Sequence, residues 1–406
     1  MREIILISFL GPDQPNQFTR LMQVLSAHSL QILDVGQAVI HNQLTLGIVV
    51  ASEDQTATAL AMKEILILAH DIGLTVRFKP ISATEYDQWV KEGGRTRYIV
   101  TALAPELNAS HLQAVTQIVS AQGFNIETVT RLSGRPALDG HSSGPKRACV
   151  EFGLKGQMLD AAAMRAACLR LSTELNVDVA VQEDNAYRRN RRLVCFDMDS
   201  TLIEQEVIDE LAIEAGVGAQ VAEITERAMQ GELDFQQSFR ARVALLKGMD
   251  ASVLPKIAER LTITEGAERL ISTLKALGYR TAILSGGFQY FAEYLQSKLD
   301  IDEVHANALD VQDGVVTGEV KGHIVDGARK AFLLGEIAQE MGISLEQTIA
   351  VGDGANDLPM LSIAGLGVAF RAKPLVRQNA NQAISSVGLD GVLYLLGVHD
   401  KDLNRA

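Results

Sequence analysis

The sequence has no apolar run of the roughly 20 residues that a helix needs to cross a bilayer. Its N-terminal stretch, MREIILISFL, also lacks the layout of a signal peptide, because the apolar residues lead directly into the turn sequence GPDQPN. We therefore expect neither a membrane partner nor export from the cell.

Cysteine is scarce, and its pattern argues against covalent or zinc scaffolding. The chain has three cysteines, Cys149, Cys168 and Cys195, an odd number at wide spacing. The eight histidines show no metal-ligand spacing. These features fit the reducing cytoplasm, and Cys195 is predicted to lie in the core.

The chain has fewer basic than acidic side chains. The chain has 37 Lys and Arg against 50 Asp and Glu, a net charge of −13, which argues against a nucleic-acid partner. The one basic cluster, YRRNRR at 187–192, is interpreted as a solvated linker, with electrostatic steering of phosphate as the alternative. With 406 residues, the chain is long enough for two or three domains.

The first half of the chain repeats itself. Residues 5–35 align with residues 98–129, most clearly where LSAHSLQILDV matches VSAQGFNIETV. Each copy reads as strand, helix, strand and then a second set of the same three elements, which predicts a ferredoxin-like βαββαβ sandwich. The second sets are 44–50, 56–72 and 74–79 in copy one, and 148–154, 159–175 and 177–182 in copy two. An insert at 133–146, rich in Gly, Pro and Ser, is predicted to be a long hairpin loop.

Two carboxylates follow a short apolar run in VCFDMDSTLI, residues 194–203. Residues 193–196 are predicted to form a buried strand, so Asp197 and Asp199 emerge at its carboxyl end, where open α/β sheets place their ligand sites. Alternate residues of an extended segment point the same way, so both carboxylates can face one reacting group. Taken alone, the pair also fits two solvated loop residues.

A second segment, RTAILSGGF at 280–288, offers groups that hold phosphate. Residues 281–284 are predicted to form a buried strand that ends at Ser285, followed by Gly286 and Gly287. A hydroxyl and backbone amides without side chains can approach phosphate oxygens closely. An ordinary strand-to-helix turn fits the same residues equally well.

A third segment, TIAVGDGANDLPML at 348–361, supplies acidic groups after another predicted strand at 348–351. Its Asp353 lies between glycines, with Asn356 and Asp357 close behind, and taken alone such an acidic glycine turn can also be structural. A phosphate beside an attacking carboxylate needs a hard dication held by oxygen ligands, and Mg²⁺ fits this requirement. Lys330, in GARKAFL at 327–333, taken alone fits a solvated side chain, but its place between the second and third segments makes it a candidate phosphate clamp.

The ordered set D-x-D-x-T, S-G-G, K and G-D-G-x-N-D resembles the haloacid-dehalogenase (HAD) superfamily, specifically its phosphoserine phosphatase branch. The resemblance runs from 192 to about 384. It implies an α/β fold with a HAD-like, Rossmann-like parallel sheet and a helical cap at about 204–261. It also implies Mg²⁺-dependent hydrolysis of O-phospho-L-serine, the last step of serine biosynthesis, through an aspartyl-phosphate, with the preference for Mg²⁺ over Mn²⁺ left open.

The resemblance also assigns roles to residues. Asp197 is the nucleophile and Asp199 the general acid/base; the Asp197 carboxylate, the Asp199 carbonyl and the Asp353 carboxylate hold the metal. Asp357 supports metal-bound water or Lys330, and Phe235 and Met229 are candidates for the cap wall. Substrate is bound by Glu206, Arg242, Ser285, Gly286, Lys330 and Asn356, of which Glu206 suits the substrate ammonium and Arg242 its carboxylate.

The repeated units resemble ACT domains, which bind amino acids at paired interfaces. The sequence GPDQPN at 11–16 has Asn16 where such domains usually have glycine, and copy two, with APELNA at 104–109, has no glycine there. We expect an amino-acid effector such as serine in copy one, or a dimerisation scaffold, and a homodimer. The expected domains are 1–86, 96–184 and 190–406.

Two alternative functions remain open at this point. One is a phosphatase for another small phosphomonoester or a phosphoprotein, on the same chemistry. The other is a nonenzymatic amino-acid sensor that acts through the ACT-like half.

Overall fold

The computed structural model describes residues 2–92, 96–136 and 146–403, without the side chains of Glu92 and Met229. The chain divides into two compact units, Met1–Arg95 and Thr96–Ala406. No helix of the described ranges is both long enough and apolar enough to span a membrane.

The first unit is the predicted βαββαβ sandwich, with one further helix. Its sheet has the strand order β2-β3-β1-β4, and all neighbours are antiparallel. One face of the sheet packs on two helices through a core that includes Ile7, Leu21, Ile48 and Ile65. The elements are β1 (Glu3–Pro12), α1 (Gln17–Ala27), β2 (Gln31–Ile40), β3 (Gln43–Ser52), α2 (Gln55–Asp71), β4 (Thr75–Ile81) and α3 (Ala83–Glu92).

The turn between β1 and α1 explains why glycine is common at position 16. Asn16 is the N-cap of α1 and has φ 67° and ψ 0°, in the left-handed region. Asparagine tolerates this region better than other residues with a Cβ atom. The turn also needs Gly11, because a Cβ atom there would lie 2.6 Å from the carbonyl oxygen of Gly73.

The second unit begins with another ferredoxin-like sandwich, whose sheet order is β6-β7-β5-β8. The predicted repeat is therefore confirmed, strand for strand. Residues 137–145 of the predicted hairpin insert lie outside the described residues. The elements are β5 (Arg97–Ala104), α4 (Ala109–Ala121), β6 (Asn125–Arg131), β7 (Ala148–Lys155), α5 (Ala161–Leu175) and β8 (Asp178–Glu183).

The rest of the second unit is built on a seven-stranded sheet with the order β12-β11-β10-β9-β13-β14-β15. All of its described pairs are parallel except β11 with β12. The strands are β9 (Leu193–Phe196), β10 (Arg280–Phe288), β11 (Glu303–Gln312), β12 (Val315–Lys321), β13 (Thr348–Gly352), β14 (Leu366–Phe370) and β15 (Gln382–Ile384).

Helices flank this sheet, and four of them form the predicted cap between β9 and β10. The cap helices are α6 (Val207–Glu214), α7 (Gly218–Met229), α8 (Phe235–Ala244) and α9 (Leu254–Arg260). The others are α10 (Ala267–Ala276), α11 (Gln289–Leu299), α12 (Gly327–Glu340), α13 (Leu358–Ile363), α14 (Pro374–Asn379), α15 (Val392–Leu395) and α16 (Asp400–Leu403).

The candidate site lies at the carboxyl end of β9, which is the central strand of this sheet. All four residues of β9, LVCF, are buried, as expected for a parallel strand covered on both faces, and Cys195 is core. β9 lies between β10 and β13, where the strand order reverses. Ligands of open α/β sheets bind beyond the carboxyl strand ends at such a switch point.

The basic cluster at 187–192 is not a solvated linker throughout, so that interpretation is wrong for two of its residues. Arg188 and Arg191 are 2% and 5% exposed. The guanidinium of Arg188 pairs with Glu151 of β7 at 2.5 Å, and that of Arg191 donates to Gln182 Oε1 of β8 at 3.1 Å. The cluster joins the second sandwich to the sheet domain, which its basic composition alone does not indicate.

Candidate active site

Asp197 and Lys330 form a buried ion pair at the carboxyl edge of the sheet. Asp197 directly follows β9, and its backbone amide donates to the carbonyl of Val351 at 2.9 Å. Lys330 lies in the first turn of α12, and its Nζ donates to Oδ1 of Asp197 at 2.6 Å. Lys330 is 0% exposed and Asp197 is 5% exposed, so water screens this contact little.

Asp357 holds the other side of the same ammonium. Its Oδ1 accepts from Lys330 Nζ at 2.6 Å, and its Oδ2 accepts from the amide of Gly354 at 2.9 Å. A Cβ atom at Gly352 would lie 2.4 Å from Oδ2 of Asp357, so this glycine makes room for the carboxylate. Burial opposes the charge of Lys330, but Asp197 and Asp357 outweigh it and raise its pKa above the usual value.

Three carboxylates meet around this lysine. Asp197, Asp353 and Asp357 each offer an oxygen within 4.8 Å of the others. Burial first, and then the neighbouring carboxylates, raise the pKa of Asp197 to about 7 and that of Asp353 to about 8. One ammonium does not balance three carboxylates, and an all-oxygen donor set suits a hard divalent cation. The residues present therefore fit the metal that the family implies.

Asp199 lies beside this cluster in an enclosed position. Its Oδ1 accepts from the backbone amide of Val207 at 3.1 Å, at the start of α6. Burial first, then Glu206 and Asp197, raise the pKa of Asp199 well above its usual range. Ser200 follows with φ 55°, in the left-handed region, at the turn where the chain leaves the sheet for the cap. A carboxyl group held in this way can carry a proton near neutral pH.

The Ser-Gly-Gly segment lies opposite Asp199, but the expectation that β10 ends at Ser285 is wrong. β10 continues in extended conformation to Phe288, with a shift in its register against β11. Ser285 is 0% exposed, and its Oγ accepts from the amide of Gly287 at 2.9 Å. A Cβ atom at Gly286 would lie 2.8 Å from Cζ of Phe235, so the cap closes directly on this backbone.

Asn307 fixes that backbone from behind, and the sequence analysis did not identify it. Its Nδ2 donates to the carbonyl of Gly286 at 2.8 Å, and its Oδ1 accepts from the amide of Val325 at 2.8 Å. The side chain is 1% exposed and lies on β11. A lone asparagine in a strand carries no local signal of this role, because both partners are distant in sequence.

Glu206 and Arg242 are charged residues of the cap that were predicted to bind substrate. Glu206 is the N-cap residue of α6, and its Oε1 accepts from Ser200 Oγ at 2.9 Å. Burial lowers the pKa of the Arg242 guanidinium, while Glu206, Asp209 and Asp199 raise it, which places these charges near one another. Nε of Arg242 is buried and has no hydrogen-bond partner among the described residues.

A hydrogen bond between cap and sheet domain was also missed by the sequence analysis. Nε2 of Gln236, in the first turn of α8, donates to Oδ2 of Asp326 at 2.7 Å. Oδ1 of Asp326 accepts from the amide of Arg329 at 2.9 Å and so caps the helix that carries Lys330. The two partners are 90 residues apart in sequence, so no local pattern announces the pair.

The remaining predicted residues fall around the same site. Asn356 precedes Asp357 in a short 3₁₀ turn, and its backbone lies against Gly327, where a Cβ atom would meet its carbonyl at 2.7 Å. Phe235 stacks on Phe239 in the cap with ring centroids 6.0 Å apart. The side chain of Met229, the other cap-wall candidate, lies outside the described residues.

Comparison with family models agrees with this architecture. Residues 194–362 match the model of haloacid dehalogenase-like hydrolases, and residues 3–79 match that of the ACT domain. The first match contains both aspartates of the D-x-D segment, Lys330 and Asp353. The second lies within the first ferredoxin-like sandwich.

Two curated proteins are similar to nearly the whole chain. It is 40% identical to a phosphoserine phosphatase of Streptomyces coelicolor, over 99% of this chain and 94% of that protein. It is 39% identical to the phosphoserine phosphatase SerB2 of Mycobacterium tuberculosis, over 99% of this chain and 95% of that protein.

Two crystal structures are similar over most of the chain. One is a probable phosphoserine phosphatase from Vibrio cholerae in its unliganded form, with TM-score 0.59 and 34% identity over 78% of this chain and 90% of that one. The other is a HAD family hydrolase from Salmonella enterica serovar Typhi, with TM-score 0.64 and 30% identity over 73% of this chain and 98% of that one.

Proposed function

Because this chain belongs to the phosphoserine phosphatase family of haloacid dehalogenase-like hydrolases, we propose that it hydrolyses O-phospho-L-serine through an aspartyl-phosphate on Asp197. The observation that carries this proposal is the buried Asp197–Lys330 pair, with Nζ and Oδ1 2.6 Å apart, beside Asp199, whose pKa burial and the neighbouring Glu206 and Asp197 raise well above its usual range. The proposed nucleophile, Asp197, and the proposed proton donor, Asp199, are two residues apart just after the end of β9.

In the first step, a carboxylate oxygen of Asp197 attacks phosphorus, and the bond from phosphorus to the serine oxygen breaks. Asp199 gives its proton to that departing oxygen, so serine leaves as a neutral alcohol. The raised pKa of Asp199 supports this role, because the group must hold a proton before the reaction begins.

In the second step, Asp199, now ionised, takes a proton from a water molecule that attacks the phosphorus of the aspartyl-phosphate. The bond between phosphorus and Asp197 breaks, which restores the carboxylate and releases inorganic phosphate. Ser285 Oγ, the Gly286 amide and Lys330 Nζ would hold the phosphoryl oxygens, and Asn356 would orient the group.

We propose that the metal is Mg²⁺, which would be held by the carboxylates of Asp197 and Asp353 and the backbone carbonyl of Asp199. When bound, Mg²⁺ neutralises charge on the phosphoryl group and the nucleophile. Asp357 is engaged by Lys330 and Gly354, so we assign it to positioning of the lysine, although its carboxylate lies within reach of the same cluster.

Specificity for serine would come from the cap. Glu206 would bind the substrate ammonium, and Arg242 would bind its carboxylate as a bidentate pair. The unpartnered Nε of Arg242 and the charges of Glu206 and Asp199 near it support this assignment. Closure of Phe235 on Gly286 would exclude water from the phosphoryl group.

The substrate assignment is tested by phosphate release from O-phospho-L-serine, O-phospho-L-threonine and an aryl phosphate in the presence of Mg²⁺. We expect a strong preference for phosphoserine that the Asp197→Asn variant loses. Equal rates on all three esters would contradict the substrate but keep the chemistry, and no release from any of them would favour the amino-acid sensor.

We further propose that the first sandwich binds an amino-acid effector such as serine and that the protein is a homodimer. The ACT-domain match supports the effector. Support for the dimer comes from edge strand β2, which exposes the apolar side chains of Val35, Val39 and Ile40 by 43% to 74%. Light scattering that reports a monomer would contradict the dimer, and calorimetry with serine tests the effector.

A further inference from the structure

A cavity of about 300 Å³ lies within the second unit, between the second sandwich and the far edge of the parallel sheet. Helix α5 and strand β8 form one wall, and α14 and β15 form the other. It is distinct from the catalytic site, since its lining includes neither Asp197 nor Lys330. Its volume is at the lower end of the range of small-molecule sites, about 300–1,000 Å³.

The lining of this cavity is mixed, and one part of it is apolar. Met164, Cys168, Leu169, Val179 and Leu366 form that part, with alanines on the α14 side. Small-molecule sites combine an apolar wall with polar groups that fix the orientation of the ligand. A ligand that fits here therefore has an apolar body as well as a polar group.

The guanidinium groups of Arg191 and Arg377, at the wall of the cavity, form no ion pair with the described residues. Arg191 donates to Gln182 Oε1 at 3.1 Å and to two backbone carbonyls, and Arg377 Nη2 donates to Ser172 Oγ at 2.8 Å. All of these acceptors are uncharged. The Nε of each arginine is buried and has no hydrogen-bond partner among the described residues.

Arg191 forms no ion pair with a carboxylate of the described part of the chain. Its side chain is nine-tenths or more buried, and burial together with the neighbouring Arg188 lowers its pKa to about 10. Of the carboxylates that line the cavity, Asp178 already accepts from Ser172 Oγ at 2.6 Å and from two backbone amides at 2.7 and 2.6 Å. Glu183 and Glu346 are exposed. A buried, unpaired cation is costly, and an anion beside it offsets that cost.

We propose that this cavity binds a small monocarboxylate with an apolar body, whose carboxylate is held by Arg191 and Arg377. The planar guanidinium matches a carboxylate in two-point hydrogen bonding, and the apolar wall takes the remainder of the ligand. Such a ligand contacts α5 and β8 on one side and α14 and β15 on the other. Its binding therefore links the second sandwich to the domain that carries the catalytic residues.

The test is isothermal titration of the full-length chain with phenylacetate and 4-methylpentanoate, up to roughly 10 mM. The uncharged amides of both acids are titrated beside them. We expect one site per chain for the acids and no binding of the amides. Absence of heat with both acids, or equal binding of the amides, would overturn the proposal.

Variants locate the site. Affinity should fall tenfold or more in Arg191→Gln, in Arg377→Gln and in Leu169→Trp, which fills the cavity. It should be unchanged in Arg170→Gln, an exposed arginine of α5 outside the cavity lining. If Arg191→Gln fails to fold, the other two variants decide, because their residues are only partly buried. Unchanged affinity in both would refute the assignment.

The catalytic site also offers an arginine to carboxylates, so the titration is repeated in Arg242→Ala. Binding that persists there and is lost in Arg377→Gln supports the cavity. Binding that is lost in Arg242→Ala and persists in Arg377→Gln overturns it, and leaves the proposed phosphatase activity untouched.

Discussion

Gly287 lies directly against Asp199: a Cβ atom on the glycine would come within 2.4 Å of Oδ2 of the carboxylate. The same Cβ atom would lie 3.1 Å from Oγ of Ser285, so no side chain fits between the carboxylate of Asp199 and this hydroxyl group. The glycine pair of this strand therefore serves the geometry of Asp199 as well as access to the backbone amides.

A single methyl group should test this relationship. In Gly287→Ala, Asp199 must move, and we expect kcat to fall about 10²-fold, as for a misplacement of about 1 Å in a catalytic group. Steady-state kinetics with O-phospho-L-serine give the measurement. Gly335→Ala is the matched control, because a Cβ atom there meets nothing within 4 Å. Equal activity of the two variants would show that Asp199 does not depend on this contact.

Removal of the buried ammonium should impair both activity and stability. In Lys330→Met, Asp197 and Asp357 lose their shared donor and remain buried together. We expect kcat to fall about 10²–10³-fold and the metal-free protein to lose about 3–5 kcal/mol of unfolding free energy. Kinetics and urea denaturation measure the two effects. Exposed Lys256→Met is the control, and a Lys330 variant as stable as that control would contradict the account.

Arg242 should decide which ester is hydrolysed. In Arg242→Ala, the substrate carboxylate loses its partner, and we expect kcat/KM for phosphoserine to fall roughly 10²-fold or more while an aryl phosphate is little affected. Arg240→Ala, an exposed arginine of the same helix, is the control. Equal losses on both substrates would assign Arg242 to cap structure instead.

Metal affinity should weaken as pH falls. Burial and the neighbouring acids raise the pKa of Asp197 to about 7 and that of Asp353 to about 8, so protons compete with the metal below these values. We expect Mg²⁺ to bind at least tenfold more weakly at about pH 6 than at about pH 8, measured by titration calorimetry. Affinity that does not change, or that rises in acid, would contradict the assignment of these carboxylates.

In the metal-free protein, the same carboxyl groups determine whether the free energy of unfolding rises or falls with pH. A carboxyl whose pKa is raised by folding binds its proton more tightly in the folded state. Its contribution to the free energy of unfolding therefore falls as pH rises from the pKa in the unfolded state, near 4, to the raised pKa in the folded state. Thermal melts should show that Mg²⁺ stabilises the protein more at about pH 8 than at about pH 6.

The sequence predicts the strand ends of the site well, because the signal is local. Four buried residues precede Asp197, and glycines flank Asp353, so hydrophobic runs and turn residues mark these positions directly. The repeat of residues 5–35 at 98–129 could also be predicted, because both copies carry matching hydrophobic runs and turn residues. The bounds shift by a few residues, and β10 extends past Ser285 because its pairing with β11 resumes at Phe288 after a change of register.

Contacts between distant segments could not be predicted in this way. Asn307 reaches Gly286 across 21 residues and Gln236 reaches Asp326 across 90, and neither pair leaves a periodic pattern. Arg188 and Arg191 resemble solvated charges in composition, yet each donates a hydrogen bond to a strand of the second sandwich. The assignment of roles to individual site residues, and the domain limits 1–86, 96–184 and 190–406, stay predictions.

The central claim is that the phosphoryl group passes through Asp197, and rapid chemical quench tests it most directly. The protein is mixed with ³²P-labelled O-phospho-L-serine and Mg²⁺, quenched in acid within the first turnover, digested, and its labelled peptide is sequenced. The account predicts hydroxylamine-labile label on the peptide that contains Asp197, and none in Asp197→Asn. Label on another residue, or turnover of phosphoserine with no labelled protein at any time, would contradict it.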